Sequence, residues 1–387
     1  MKSILCFTVV FLITGFLYAG DGQIDIAILP YTISSSGSYV VVKDLTLSTQ
    51  DTNGITISVD NVTLDLNGHT LTGPGKAMGT TGSGIYVSGT YYNISISNGT
   101  IRDWRQSGVS GITTHNSQFK NLRCYNNGYS GIIGGIANLV KENNCYNNGN
   151  YGITTDNGCT IIENTCSNNT YYGIYSGYYC NINGNTCSQN VIDGIHSVTS
   201  CLITENTCSD NGSEGIYTTE GNIINENNCY NNGANGIYAG TGSTINNNNC
   251  YSNTERGIRA TVSCTVNKNN CRANGSDGIS ADTGSLVSEN NCGANTNDGI
   301  EVSYACRVVD NSCANNGYQA ADGAGINIIY SRNSIEHNLV TSNDRGIDCN
   351  PATGNYIASN RARSNTTNYD IIAGNTQGSG DLANVSF

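Results

Sequence analysis

Two columns of side chains in this chain could do chemistry. One stands just before a recurring Gly-Ile pair and runs Asp193, Glu214, Asn235, Arg256, Asp277, Asp298. The other stands two residues after the same glycine and runs Tyr175, His196, Tyr217, Tyr238, Arg259, Ser280, Glu301. Members of each column are 21 residues apart. If successive copies stack, each column becomes a line of side chains about 4.8 Å apart. The second column faces outward if the Ile before it faces in. Tyrosine rings would then offer flat faces to sugar rings. Carboxylates a rung apart could hold Ca²⁺, or at about 5–9 Å could do acid–base work on a glycosidic bond. On this reading Asp193, His196, Glu214 and Arg259 are the candidate catalytic groups. Tyr175, Tyr217, Tyr238 and Glu301 are candidate substrate contacts. Trp104, the only tryptophan, joins them as a candidate stacking platform, but a cap packed over the early coils is the favoured expectation for it. A solvated face with ordinary charges is the bland alternative for both columns.

The elements that must position these groups follow from a fixed ruler. A cysteine recurs every 21 residues from Cys124 through Cys145, Cys166, Cys187, Cys208, Cys229, Cys250, Cys271 and Cys292 to Cys313. Three residues after each stands an asparagine, from Asn127 to Asn316. The Gly-Ile pair recurs from Gly131 to Gly299, with Ile or Val nine residues on and Asn twelve on. Self-similarity at such a period means a solenoid, propeller or array. Local alternation has period 2, β-branched residues are frequent, and Asn and Gly punctuate every few residues, so each unit divides into short strands and tight turns. The expected fold is all-β, a single-stranded parallel β-helix with coils of about 21 residues.

Identical residues in register suggest their own roles. Asn columns can form amide ladders and tolerate the left-handed backbone of tight corners, so both are expected at turns. The place of the cysteine is taken by Ile101 before the series and by Val340 and Ala362 after it. A position that accepts Ile, Val, Ala or Cys is a core position. A second series, Cys159, Cys180, Cys201, Cys264 and Cys306, accepts Asn222, Ser243 and Ser285; it is a small-residue site, inward or at a corner. Mostly buried thiols are expected, with some bridges between rungs. No metal-ligand spacing of Cys or His appears, so neither a metal nor another cofactor is expected beyond Ca²⁺ at stacked carboxylates.

Composition bounds the partners. The formal net charge of −12 argues against nucleic acid. Lys2, the apolar run Ile4–Tyr18 and the small residue Ala19 read as a signal peptide over 1–19. No later stretch is long and apolar enough for a transmembrane anchor. An exported monomer is expected, extracellular, at the cell surface or periplasmic. Residues 20–53 read as an N-terminal cap, 54–374 as the β-helix and 375–387 as a C-terminal tail. The ruler breaks between Gly54 and Gly84, between Gly84 and Gly111, and between Gly299 and Gly325. Insertions in such arrays become loops, often on the binding face.

The segment DNVTLDLNGHTLTG (Asp60–Gly73) and the repeat I-x-x-N-x-[ICV]-x-x-N followed by G-I carry a resemblance. The chain resembles the right-handed parallel β-helix superfamily, the pectate-lyase-like group. Its repeat is similar to that of carbohydrate-binding proteins, sugar hydrolases and NosD-like proteins. The resemblance covers roughly residues 25–375. It implies an exported protein that interacts with a polysaccharide or other glycan, as a binder, lyase or hydrolase. The catalytic set of polygalacturonases is missing, and His115, His196 and His337 form no evident triad. A non-catalytic adhesion or spacer solenoid is therefore the competing reading. Ice binding ranks third, because the outward columns are too mixed.

Overall fold

A computed structural model describes residues 22–76, 81–317, 323–380 and 383–386. The signal peptide expected over 1–19 lies outside the described residues. The chain winds as a parallel β-solenoid of about 16 turns. Each regular coil holds three three-residue strands, as in Ile153–Thr155, Thr160–Ile162 and Thr165–Ser167. Stacked strands give three faces. We call them the glycine–isoleucine face, the middle face and the cysteine face.

Register is kept along the regular coils. Cys145 pairs with Cys166, Cys166 with Cys187, and Cys187 with Cys208. The thiol column continues Ile101 at one end and runs into Val340 and Ala362 at the other. All ten of its cysteines are fully buried. Beside it inside the tube run the Ile column of the glycine–isoleucine face and the Ile/Val column of the middle face. Burying each such side chain contributes about 1.5–3 kcal/mol, which is how a chain rich in Asn, Gly and Ser builds a core. The sixteen cysteines of the described residues are all unbridged and buried. Burial holds the Cys124, Cys166, Cys208 and Cys313 thiols well above the ordinary range.

The corners are built from ladders. In one, each Asn amide donates to the carboxamide oxygen of the next coil, as from Asn190 to Asn211 at 3.0 Å and from Asn211 to Asn232 at 3.0 Å. A second ladder runs through Asn164, Asn185 and Asn206. Contrary to the expectation from sequence, the ladder asparagines do not themselves take the left-handed backbone. That conformation falls on the residue before each, such as Glu163 and Glu226, both at φ 57°. The side chain of the ladder residue must point inward along the stack, and the exposed residue ahead of it absorbs the turn. The second cysteine series forms the third corner. Backbone N–H groups of Cys180, Cys201 and Cys264 donate to Cys201 Sγ, Asn222 Oδ1 and Ser285 Oγ. Cys, Asn and Ser interchange there because each can accept one backbone N–H and donate to one carbonyl.

Three boundaries differ from the sequence expectation. Tyr31–Ile33 and Gly37–Val41 already pair with Ile55–Ile57 and Val62–Asp65, so much of the segment read as a cap is a coil. Thr376–Gln377 and Val385–Ser386 likewise extend the ladders rather than trailing free. The frame glycine of the irregular early coil is Gly108, not Gly111, since Val109 pairs with both Ile85 and Ile132.

Candidate functional site

The glycine–isoleucine face carries both chemical columns, and its glycines explain their placement. A Cβ on Gly194 would lie 2.6 Å from the Gly215 carbonyl oxygen and 2.8 Å from Asn211 Nδ2. Only glycine lets successive coils approach this closely. The Ile that follows points into the core, so the next side chain must point out. Tyr175, His196, Tyr217, Tyr238, Arg259, Ser280 and Glu301 therefore stand in one outward line, each paired with the next.

The rings of this line stack on one another. His196 lies 4.4 Å from the Tyr172 ring and 4.5 Å from Tyr217, and Tyr217 lies 4.9 Å from Tyr238, with planes within 11–19°. Tyr175 joins at 5.6 Å from His196. The expectation of flat faces for sugars needs correcting here. In mid-row each face is covered by the neighbouring ring, leaving edges and polar tips for a partner. Tyr172 was not singled out in the sequence. Extending the pre-glycine column back by one unit, past Asp193, reaches it.

Three of the four candidate catalytic residues come together. His196 Nδ1 lies 2.9 Å from Asp193 Oδ2, and Asp193 is buried. Asp193 Oδ1 accepts the Glu214 backbone N–H at 3.2 Å. Glu214 accepts hydrogen bonds from Asn235 Nδ2, at 3.2 Å, and from Ser213. Burial raises the Glu214 carboxyl above the usual range; the Ser213 bond opposes this and the Asp193 charge adds to it. Asp193 fixes the imidazole, so that Nε2 is the nitrogen left for chemistry.

Arg259 does not belong to this cluster. It stands three rungs from His196. It donates to Ser280 Oγ at 3.0 Å and to Asp282 Oδ2 at 2.6 Å. Ser280 in turn donates to Glu301 Oε1 at 2.9 Å. Glu301 faces a separate groove of about 470 Å³ lined with Arg256, Asp277, Asp298 and Asn327. Asp277 Oδ2 accepts from Arg256 Nε at 2.9 Å. Asp298 accepts from the Ala324 N–H at 2.7 Å and from Asn327 Nδ2 at 2.8 Å. Burial pushes the Asp298 carboxyl up to about 7 against those two bonds, with the Asp277 and Glu301 charges adding to the rise. Asn327 escaped the sequence reading because the insertion after Glu301 breaks the ruler.

This groove sets a pH dependence. Asp298 holds its proton more tightly in the folded protein than in the unfolded chain. Its favourable contribution is therefore full below the unfolded value and is lost as pH rises toward about 7. Asp298→Asn should remove that slope. The variant's gain in stability over the parent is expected to be larger at about pH 8 than at about pH 5, by roughly 2–3 kcal/mol. Asn327 can flip its amide to meet the new side chain. Urea midpoints at the two pH values measure this, and equal differences at both would refute the assignment.

Trp104 is not a surface platform. It is fully buried, with Nε1 donating to the Leu71 carbonyl at 3.2 Å. Aromatic surface lies elsewhere, in a cleft of about 380 Å³ bounded by Tyr129, Tyr151, Tyr175 and Tyr178 at one end of the ring row. Among the described residues no cluster of three or more His, Cys, Asp or Glu is arranged to hold a metal. No helix among them is long and apolar enough to cross a membrane.

Known proteins share this architecture. The family profile described as the right handed beta helix region matches residues 31–186, 154–291 and 224–362. No curated protein matches the chain at significant similarity. Among solved structures it is similar to a periplasmic alginate epimerase, at 14% identity and TM-score 0.47, over 84% of this chain and 77% of that one. It is also similar to the A-module of a mannuronan C-5 epimerase from Azotobacter vinelandii, at 14% identity and TM-score 0.43, over 94% and 92%. The Dettilon tailspike protein shares 16% identity at TM-score 0.44, over 88% of this chain and 62% of its own. With three overlapping profile matches spanning most of its length, the chain belongs to the right-handed β-helix family.

Proposed function

We propose that this chain is an exported polysaccharide-binding β-helix that holds glycan along its glycine–isoleucine face and carries acid–base chemistry at His196. The observation that carries the reading is the 2.9 Å contact between His196 and the buried Asp193, midway along the row of stacked rings. A carboxylate on Nδ1 fixes the tautomer and supports the charge that develops when Nε2 takes a proton. Edge-on tyrosines on either side offer hydroxyl groups to sugar hydroxyls and carboxylates. With a uronate polymer, Nε2 would remove the proton α to the carboxylate. The electron pair left behind forms a C=C bond as the neighbouring glycosidic C–O bond breaks. This is lyase chemistry and yields an unsaturated sugar end. Glu214, whose carboxyl burial raises above the usual range, is the nearby acid that could protonate the leaving oxygen.

The test is ultraviolet absorbance of unsaturated product, run beside a reducing-sugar assay and a glycan-binding array. His196→Ala is expected to lower kcat/KM by roughly a hundredfold. Asp193→Asn should lower kcat more than it raises KM. New reducing ends without unsaturation would move the chemistry to hydrolysis at the Asp277–Asp298 groove. Binding without turnover would reduce the protein to a recognition module. Retention on no glycan would leave a rigid spacer.

A further inference from the structure

The tyrosines of the ring row cover one another, but two others do not. Tyr304 and Tyr330 wall a cleft of about 840 Å³ at the corner between the glycine–isoleucine and middle faces, together with Asp282, Ile329, Pro351 and Thr353. Among the described residues neither ring stacks on another aromatic. The Arg332 guanidinium lies 5.2 Å from the Tyr304 ring centroid, which fixes that ring on one side. Tyr330 is 59% exposed and Ile329 38%. The cleft thus has what the ring row lacks: open aromatic surface beside a carboxylate and hydroxyl groups. That mixture suits a sugar ring, whose C–H face packs on an aromatic and whose hydroxyls need hydrogen-bond partners.

The cleft is also tied to the row. Asp282 accepts from Arg259 Nη2 at 2.6 Å, and Arg259 follows Tyr238 in the outward line. Five strand pairings separate the rung of His196 from the rung of Tyr304. At the strand spacing that is about 24 Å, too far for one sugar and within reach of a polymer lying along the axis.

We propose that the Tyr304–Tyr330 cleft is a second saccharide subsite, which holds a distal unit of the same polysaccharide that passes His196. The proposal rests on the polysaccharide reading above and adds to it the direction of the chain, along the solenoid axis rather than across the strands. Two linked contacts on one polymer raise retention beyond either alone. No proton transfer or bond cleavage is assigned to the cleft.

The test uses the full chain and its Tyr330→Ala and Tyr330→Phe variants on immobilised polygalacturonate, alginate and xylan. On whichever polymer retains the parent, Tyr330→Ala should bind about tenfold more weakly, and Tyr330→Phe should match the parent. Equal retention of Tyr330→Ala would overturn the subsite and leave the polysaccharide reading standing. A parent retained by none of the three would remove both. Circular dichroism melts of the variants guard against misfolding, and the exposed ring makes unchanged melts the expected result. A Tyr304→Ala variant gives an independent second measurement on the other wall.

Discussion

Trp104→Ala is expected to destabilise the early coils by about 3–5 kcal/mol. The indole is fully buried and its Nε1 donates to the Leu71 carbonyl. Its bed is made of bare backbone. A Cβ on Gly54 would come within 2.6 Å of the ring, one on Gly73 within 2.8 Å and one on Gly84 within 2.9 Å. Three glycines have left room for one large side chain, so its removal opens a cavity that rigid, hydrogen-bonded coils cannot close. The lost transfer energy and the cavity act in the same direction. Trp104→Phe should fall between, since it keeps most of the volume but loses the indole hydrogen bond to the Leu71 carbonyl. Thermal melts by circular dichroism measure both variants. In the parent, emission from this single tryptophan should be that of an apolar site. A loss for Trp104→Ala below about 1 kcal/mol would mean that the early coils collapse into the vacated space, against the partial relaxation expected of a rigid core.

Asn211→Ala is expected to cost roughly 2–4 kcal/mol. Asn211 Oδ1 accepts from the Asn190 backbone N–H at 3.1 Å and from Asn190 Nδ2 at 3.0 Å. Its Nδ2 donates to the Cys187 carbonyl at 3.1 Å and to Asn232 Oδ1 at 3.0 Å. Truncation leaves the buried Asn190 backbone N–H without its partner and removes the side-chain donor from the Cys187 carbonyl. Asn211→Asp should be at least as damaging at neutral pH, because a carboxylate cannot donate to Cys187 and faces another oxygen on Asn232. Each coil contacts only its neighbours, so the damage should be local. Hydrogen exchange should quicken in the coils around Asn190 and Asn232 and stay slow near the ends. Uniform loss of protection would argue against this nearest-neighbour picture.

Much of the fold is legible in the residue order, and particular residues show why. A cysteine every 21 residues, replaced at its ends by Ile101, Val340 and Ala362, could only be a stacked inward position. The solenoid buries every member of it. A strict period fixes register because any slip would expose the whole column at once. Where the ruler breaks, the reading weakens. Gly111 looks like a frame glycine in the sequence although Gly108 pairs in that place, and Asn327 is hidden behind an insertion. Trp104 is the exception: a cap packed over the early coils is the favoured expectation from sequence, and the fully buried ring against three glycines agrees with it.

The candidate site divides in the same way. Sequence alone determined that His196, Tyr217, Tyr238 and Arg259 share one outward line, because that follows from the period and from strand alternation. Tertiary structure decided what the line can do. It joined Asp193 to His196, gave Arg259 to Asp282, turned the tyrosine faces toward one another and enclosed Asp298 in a groove. Period and alternation set only which side a residue faces and which residue lies next to it. Rotamers, ring tilt and burial depend on the packing of several coils at once, and that information is spread over residues far apart in the chain.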